Sequence, residues 1–332
     1  MKKVVFKLFY EKYLIFLYVL VTTFLIGCNV TSNVIYNPPH ENNKNPDVYF
    51  CPKDNCSSIF EHHIRAASSS VHCALYDLNL KNVIKALAEK SKFLDVRLVM
   101  DNSNLKDQIK GDGIKADSDY ALMHNKFCVI DDKLVMTGSF NPTYNDNDYN
   151  SNNVVVIYSY AIAENYEDEF NELWNGKFGK GNSVKYPLVY INNITIENYF
   201  CPEDKCASRI IDLIRHAKKS VYFMDFSFTS EAIADALIRS RGLEIKGIFD
   251  SGQSSNKYSK LDRLKEFGID VKKDSNKHKM HHKVFIIDKD TVATGSFNPT
   301  LSADTKNDEN LLIIHDDNIA KDFLKEFDSL WH

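Results

Sequence analysis

Two stretches carry residue types that can do chemistry, and they are nearly copies of one another. "MHNKFCVIDDKLVMTGSFNPT" runs from Met123 to Thr143, and "MHHKVFIIDKDTVATGSFNPT" from Met280 to Thr300; they are identical at 13 of 21 positions without a gap. Each reads as a strand, a polar turn and a second strand. In a strand, alternate residues share a face, so His124 points with Lys126 and His281 with Lys283. A neutral imidazole can serve as nucleophile or base, and an ammonium can hold a phosphate oxygen. Beyond the turn, Ser139 and Asn141, like Ser296 and Asn298, stand two apart and can donate to one anion. Asp131 and Asp288 fall at the turn, where a role in the turn or in an ion pair is favoured over contact with substrate.

The duplication extends upstream. "YFCPKDNC" from Tyr49 returns as "YFCPEDKC" from Tyr199, 150 residues on, while the two motif histidines lie 157 apart; a longer loop before His281 absorbs the difference. Two units of roughly 150 residues match a normal domain size. A solenoid would use shorter periods and more copies.

In the first unit, strands are expected at Val48–Phe50, Val71–Leu75 and Asp95–Asp101, with helices at Ser57–Ser68 and Leu80–Ser91. The motif hairpin, the strand "NNVVVIYS" and the helix "AENYEDEFNELW" complete it, and the second unit repeats the order. Alternating strands and helices give an α/β fold, with helices covering both faces of each sheet. The expected organisation is a signal at 1–27, a flexible tether at 28–47, units at 48–176 and 197–332, and a linker at 177–196.

Both stretches match the HKD signature, H-x-K-x4-D-x6-G-S-x-N, and on those residues the chain resembles the phospholipase D superfamily. The resemblance spans about Val48 to the C-terminus, and two full copies at equal depth make it specific. It implies two α-β-α units related by a pseudo-twofold axis, with the motifs meeting in one cleft. It further implies a phosphoric diester hydrolase in which one histidine becomes a phosphohistidine and the other acts as acid and then base. His124, Lys126, Asp131, His281, Lys283 and Asp288 form the catalytic motif set, and Ser139, Asn141, Ser296 and Asn298 bind the substrate phosphate. No cofactor and no metal are implied, and no oligomer is required because one chain carries both motifs.

The copies differ at one position of consequence. Glu309 lies 28 residues after His281, whereas Asn152 occupies the equivalent place after His124. In the family an acid in this region orients the histidine of the opposite unit. Glu309 would then support His124 as nucleophile, leaving His281 as acid and base without a carboxylate partner.

The N-terminus bears on location. Lys2, Lys3, Lys7 and Lys12 precede a charge-free apolar run of 15 residues, Tyr13 to Gly27. That is short for a membrane span and suits an export signal. "LIGC", ending at Cys28, resembles a bacterial lipobox, so Cys28 is the expected lipidation site of an extracytoplasmic, membrane-anchored protein; a retained signal anchor is the alternative. Outside the cytoplasm, Cys51/Cys56 and Cys201/Cys206 are expected as disulfides, with a four-cysteine zinc site as the alternative. Cys73 and Cys128, in apolar strands, are expected as buried thiols.

The net charge is −4, and about −7 once the basic signal is removed, which disfavours a protein that simply coats nucleic acid. Lys272, Lys273, Lys277, Lys279 and Lys283, with His278, His281 and His282, form a local exception: a solvated loop or an anion-attracting rim. The expected substrate is a phospholipid head group; an extracytoplasmic nuclease is the alternative, and a non-catalytic surface binder fits least.

Overall fold

The structure, a computed structural model, describes residues 37–105, 111–118 and 121–331. The expected signal and Cys28 lie outside the described residues.

The first unit runs β1 (His40–Glu41), β2 (Asp47–Cys51), α1 (Cys56–Ala66), β3 (Ser70–Leu75), α2 (Lys81–Lys90), β4 (Asp95–Met100), β5 (Ile114–Ala116), β6 (Lys126–Ile130), β7 (Leu134–Gly138), α3 (Tyr144–Asp148), β8 (Asn152–Tyr158) and α4 (Tyr160–Trp174). The second runs β9 (Leu188–Ile191), β10 (Ile194–Cys201), α5 (Cys206–His216), β11 (Ser220–Asp225), α6 (Glu231–Arg239), β12 (Glu244–Phe249), α7 (Leu261–Glu266), β13 (Asp270–Lys273), β14 (Lys283–Ile287), β15 (Thr291–Gly295), α8 (Leu301–Thr305), β16 (Glu309–His315) and α9 (Asp317–Leu330).

One sheet has the order β2-β8-β7-β6-β3-β4-β5, and the other repeats it as β10-β16-β15-β14-β11-β12-β13, with β9 and β1 added at its edge. Those added strands revise two expectations. The expected linker contributes the β9–β10 hairpin, and the end of the expected tether pairs with it in parallel, His40 opposite Tyr190 and Glu41 opposite Ile191. The physical reason is local: His40 stacks on Tyr190 at 4.4 Å, and Glu41 accepts from the Ala161 amide at 2.9 Å.

Alternation along each strand divides the apolar residues between layers. Val221 and Phe223 of β11 face α5 and α6, while Tyr222 and Met224 face the opposite way. The central core gathers those inward residues with Phe127, Val129 and Val155 of the other sheet and Tyr166, Phe170, Phe323 and Phe327 of α4 and α9. The long C-terminal helix of each unit therefore lies between the sheets, and α1 and α2 cover the outer face of the first sheet as α5 and α6 cover that of the second.

A buried polar seam joins the two units. Thr137 donates to Asn310 at 2.8 Å, and its counterpart Thr294 donates to Asn153 at 3.1 Å. Asn310 also donates to Asn125 at 2.9 Å, and the Asn153 amide lies 3.1 Å from the His282 ring. These groups sit in low dielectric, where each unpaired polar atom costs about 1–3 kcal/mol, so the seam selects one register between the units.

Cys51–Cys56 and Cys201–Cys206 form disulfides, which leaves no four-cysteine zinc site. Cys73 and Cys128 correct the sequence reading, since they too are bonded. The antiparallel pairing of β3 with β6 sets them directly opposite, with Cα atoms 4.0 Å apart, a register that strand composition alone does not reveal.

Candidate active site

Each histidine precedes the first strand of its hairpin and is tied by its backbone to the other unit. The His124 amide donates to the Asp308 carbonyl at 3.0 Å, and the His281 amide to that of Ser151 at 2.8 Å. The side chains repeat this exchange. Nδ1 of His124 lies 2.8 Å from a Glu309 carboxylate oxygen, and Nδ1 of His281 lies 2.8 Å from the Asn152 amide oxygen. Both acceptors engage Nδ1, which leaves Nε2 as the nitrogen available for chemistry. The expected pairing of Glu309 with His124 is present in the geometry, and Asn152 takes the equivalent place against His281.

The lysines are held in matching fashion. Nζ of Lys126 donates to the His124 carbonyl, and Nζ of Lys283 to that of His281, each at 2.7 Å. Lys126 lies over the Tyr76 ring and Lys283 over Phe226, both at 5.0 Å. The same rings meet His124 and His281 edge-on, with centroids 4.8 and 4.7 Å apart. Sequence reasoning missed Tyr76 and Phe226; their signal was the 150-residue offset that makes them counterparts.

Burial dominates the electrostatics. It lowers His124 to about 4, helped by Lys126 and Lys283 and opposed by Glu309. His281 is pushed well below the ordinary imidazole value by burial, then by Lys283, Lys126, His124 and Lys279, which places both motifs in one electrostatic site. Burial lowers Lys126 to about 8 against the pull of Glu309 and Asp146.

The other motif residues divide. The Ser139 hydroxyl donates to Asn152 at 3.3 Å and that of Ser296 to Glu309 at 2.6 Å. Both serines therefore brace the groups that hold the histidines, instead of presenting a free donor to a phosphate as the spacing suggested. Asn141 donates to Asp146 at 2.8 Å, and the side-chain oxygens of Asn141 and Asn298 are buried without a protein partner.

Asp131 and Asp288 do not join the histidines, which corrects their place in the catalytic set. Asp131 accepts from the amides of Ser68, Ser69 and Ser70 at 2.9, 2.7 and 3.2 Å, and Asp288 from those of Lys218, Lys219 and Ser220 at 2.8, 2.6 and 3.0 Å. Those bonds hold both carboxyls below their ordinary range despite the cost of burial. Both residues have positive φ, 53° and 52°, so each also opens its hairpin turn. At the far end of the hairpins Gly138 and Gly295 have φ of 137° and 142°. A Cβ there would meet the Asn153 or Asn310 carbonyl at 2.4 Å, so the glycines let the serines reach the site.

Of the lysine-rich approach, Lys272 is withdrawn over the Trp331 ring at 4.2 Å, while Lys279 lies 5.5 Å from Phe226 beside the site. His278 stacks on the exposed Tyr149 at 4.6 Å. Among the described residues, no group of three or more His, Cys, Asp or Glu is arranged to hold a metal ion, and no helix is long and apolar enough to cross a membrane.

Two histidine–lysine motifs on paired α/β units, each histidine braced by the other unit, define a two-motif phosphoryl-transfer site. The chain belongs to the phospholipase D-like family of phosphodiesterases: the family model "Cardiolipin synthase, PLD-like domain" matches residues 60–174 and again 210–331. It is 34% identical over 144 residues to a phospholipase D of Rickettsia prowazekii, covering 43% of this chain and 70% of that protein. It is 35% identical over 136 residues to a mitochondrial cardiolipin hydrolase of Xenopus tropicalis, covering 40% of this chain and 65% of that one. The crystal structure of phosphatidylserine synthase from Haemophilus influenzae shares the fold over 82% of this chain and 83% of its own, with a TM-score of 0.63 and 13% identity.

Proposed function

We propose that this chain hydrolyses phosphodiesters through a phosphohistidine on His124, with phospholipid head groups as substrate, and works outside the cytoplasm from a lipid anchor at Cys28. Nε2 of His124 attacks phosphorus, forming the N–P bond, while His281 gives its Nε2 proton to the departing oxygen as the P–O bond breaks. His281 then takes a proton from water, whose oxygen attacks phosphorus and releases His124. Lys126 and Lys283 neutralise charge on the pentacoordinate phosphorus.

The observation that carries the division of labour is the unequal support of the two rings. Glu309 is a fully buried carboxylate against His124, where a phosphorylated imidazole would be cationic. His281, which must alternate between two protonation states, faces the neutral Asn152. The names of the Rickettsia and Xenopus relatives and the acidic chain favour a phospholipid. A nuclease is the second reading, favoured by the Tyr149–His278 stack beside Lys277 and Lys279, since stacking next to positive charge suits a nucleic-acid strand.

Purified protein lacking residues 1–27 is assayed on phosphatidylcholine, cardiolipin, single-stranded DNA and RNA in parallel, with and without a chelator. Release of head group or phosphatidate, unaffected by chelation, is the expected result. Cleavage of nucleic acid alone would replace the lipid reading with the second one, and activity that vanished with chelator and returned with metal would overturn the mechanism.

A further inference from the structure

The two units carry their carboxylates at non-equivalent places. Glu309 of the second unit has Asn152 as its counterpart, and Asp146 in α3 of the first unit has the fully buried Ala303 in α8 as its own. Asp146 is only 4% exposed, and its carboxylate lies 3.7 Å from Nδ1 of His281. It is held there by the Asn141 amide at 2.9 Å, the Asn141 side chain at 2.8 Å and the Asn150 side chain at 2.6 Å. Asp146 and Glu309 also both draw on the Lys126 and Lys283 charges.

We propose that Asp146 is the second carboxylate of the site, a positioning residue that supplies His281 with the anionic neighbour its direct partner Asn152 does not. This rests on the reading of His281 as acid and base. When His281 carries its second proton it stands among cations, Lys283 and Lys279 on its own segment and Lys126 from the first motif, with the His124 ring also disfavouring its charge. Phe226 across its ring and Asn152 at Nδ1 are neutral. Asp146 is the anion on that side. Standing off at 3.7 Å instead of bonding directly, it stabilises the imidazolium without holding it protonated, which suits a group that must both give and take a proton. Glu309 in direct contact suits a ring that stays cationic while phosphorylated.

The test reads His281 itself. In histidine-labelled full-length protein the His281 titration is followed by NMR in wild type, Asp146→Asn and the double variant Asp146→Asn/Asn152→Asp. Loss of an opposite charge at this range is expected to lower the His281 pKa by about one unit or more, and relocating the carboxylate to position 152 to restore it. In wild type labelled at its aspartate carboxyl carbons, the Asp146 signal is expected to inflect at the His281 pKa; this reading decides alone if Asp146→Asn fails to fold. A His281 titration unmoved by Asp146→Asn, or an Asp146 signal blind to it, would overturn the proposal. Because neither reading needs turnover, absence of hydrolysis by wild type would count against the phosphodiesterase reading only.

Discussion

Glu309 and His124 are 185 residues apart in sequence and 2.8 Å apart in the structure, both buried, with Ser296 donating to the same carboxylate oxygen. The bond crosses from one unit to the other, so neither motif is complete in its own half.

That relationship sets a pH dependence. Burial, aided by Lys126 and Lys283, brings His124 down to about 4, so the neutral nucleophile persists above that pH and is lost as pH falls through it. With a p-nitrophenyl leaving group, which needs no acid, kcat/KM is expected to hold from pH 6.5 to 5 and to halve near pH 4. Glu309→Gln removes the opposing anion. It should move this limb to still lower pH and reduce kcat on the order of 10²–10⁴-fold. A limb near 6.5 in wild type would contradict the burial argument.

The histidines are expected to be essential and unequal. His281→Ala, given the same activated substrate, should accumulate a labelled phosphoenzyme, because attack by His124 needs no proton donor there and the second step lacks its base. His124→Ala should accumulate none. Labelling in the His124 variant alone would reverse the roles.

Asp131→Ala removes the acceptor of three backbone amides at the start of β3. The expected cost is about 2 kcal/mol or more of stability, read by denaturant unfolding, with kcat of the folded protein nearly unchanged. The carboxyl is held below its ordinary range, so this stabilisation is present above the unfolded pKa and fades as pH falls through the folded value. A large fall in kcat at full stability would return Asp131 to the catalytic set.

Non-reducing peptide mapping of the purified protein should find Cys51–Cys56, Cys73–Cys128 and Cys201–Cys206 linked. Replacing Cys73 and Cys128 together with Ala is expected to cost about 2–4 kcal/mol, since their link closes the longest loop of the three. Free thiols at 73 and 128 in folded, exported protein would refute the pairing.

Cys28 offers a test of location. Wild type is expected to take up label from a fatty-acid precursor and to fractionate with membranes, whereas Cys28→Ala should lose the label and run as a larger precursor. A retained anchor predicts no change in size or fractionation.

The sequence by itself determined what repeats: two units, two HKD motifs, the order of strands and helices, and a carboxylate at 309 where the other copy has Asn152. Those are properties of spacing and alternation, which a chain carries wherever it folds. Asp131 and Asp288 were legible as turn residues for the same reason, since a polar residue between two apolar strands marks a turn. What depends on register was not legible. Cys73 meets Cys128 because β3 pairs antiparallel with β6 at one of several possible offsets. His40 and Glu41 become a strand only because β9 offers an edge to pair with. Asp146 gave no sign beyond having Ala303 as its counterpart, because its distance from His281 is set by the packing of α3 of one unit against the motif of the other. Only the tertiary structure brings those surfaces together, and the buried Thr137–Asn310 and Thr294–Asn153 bonds tie the two units in that register.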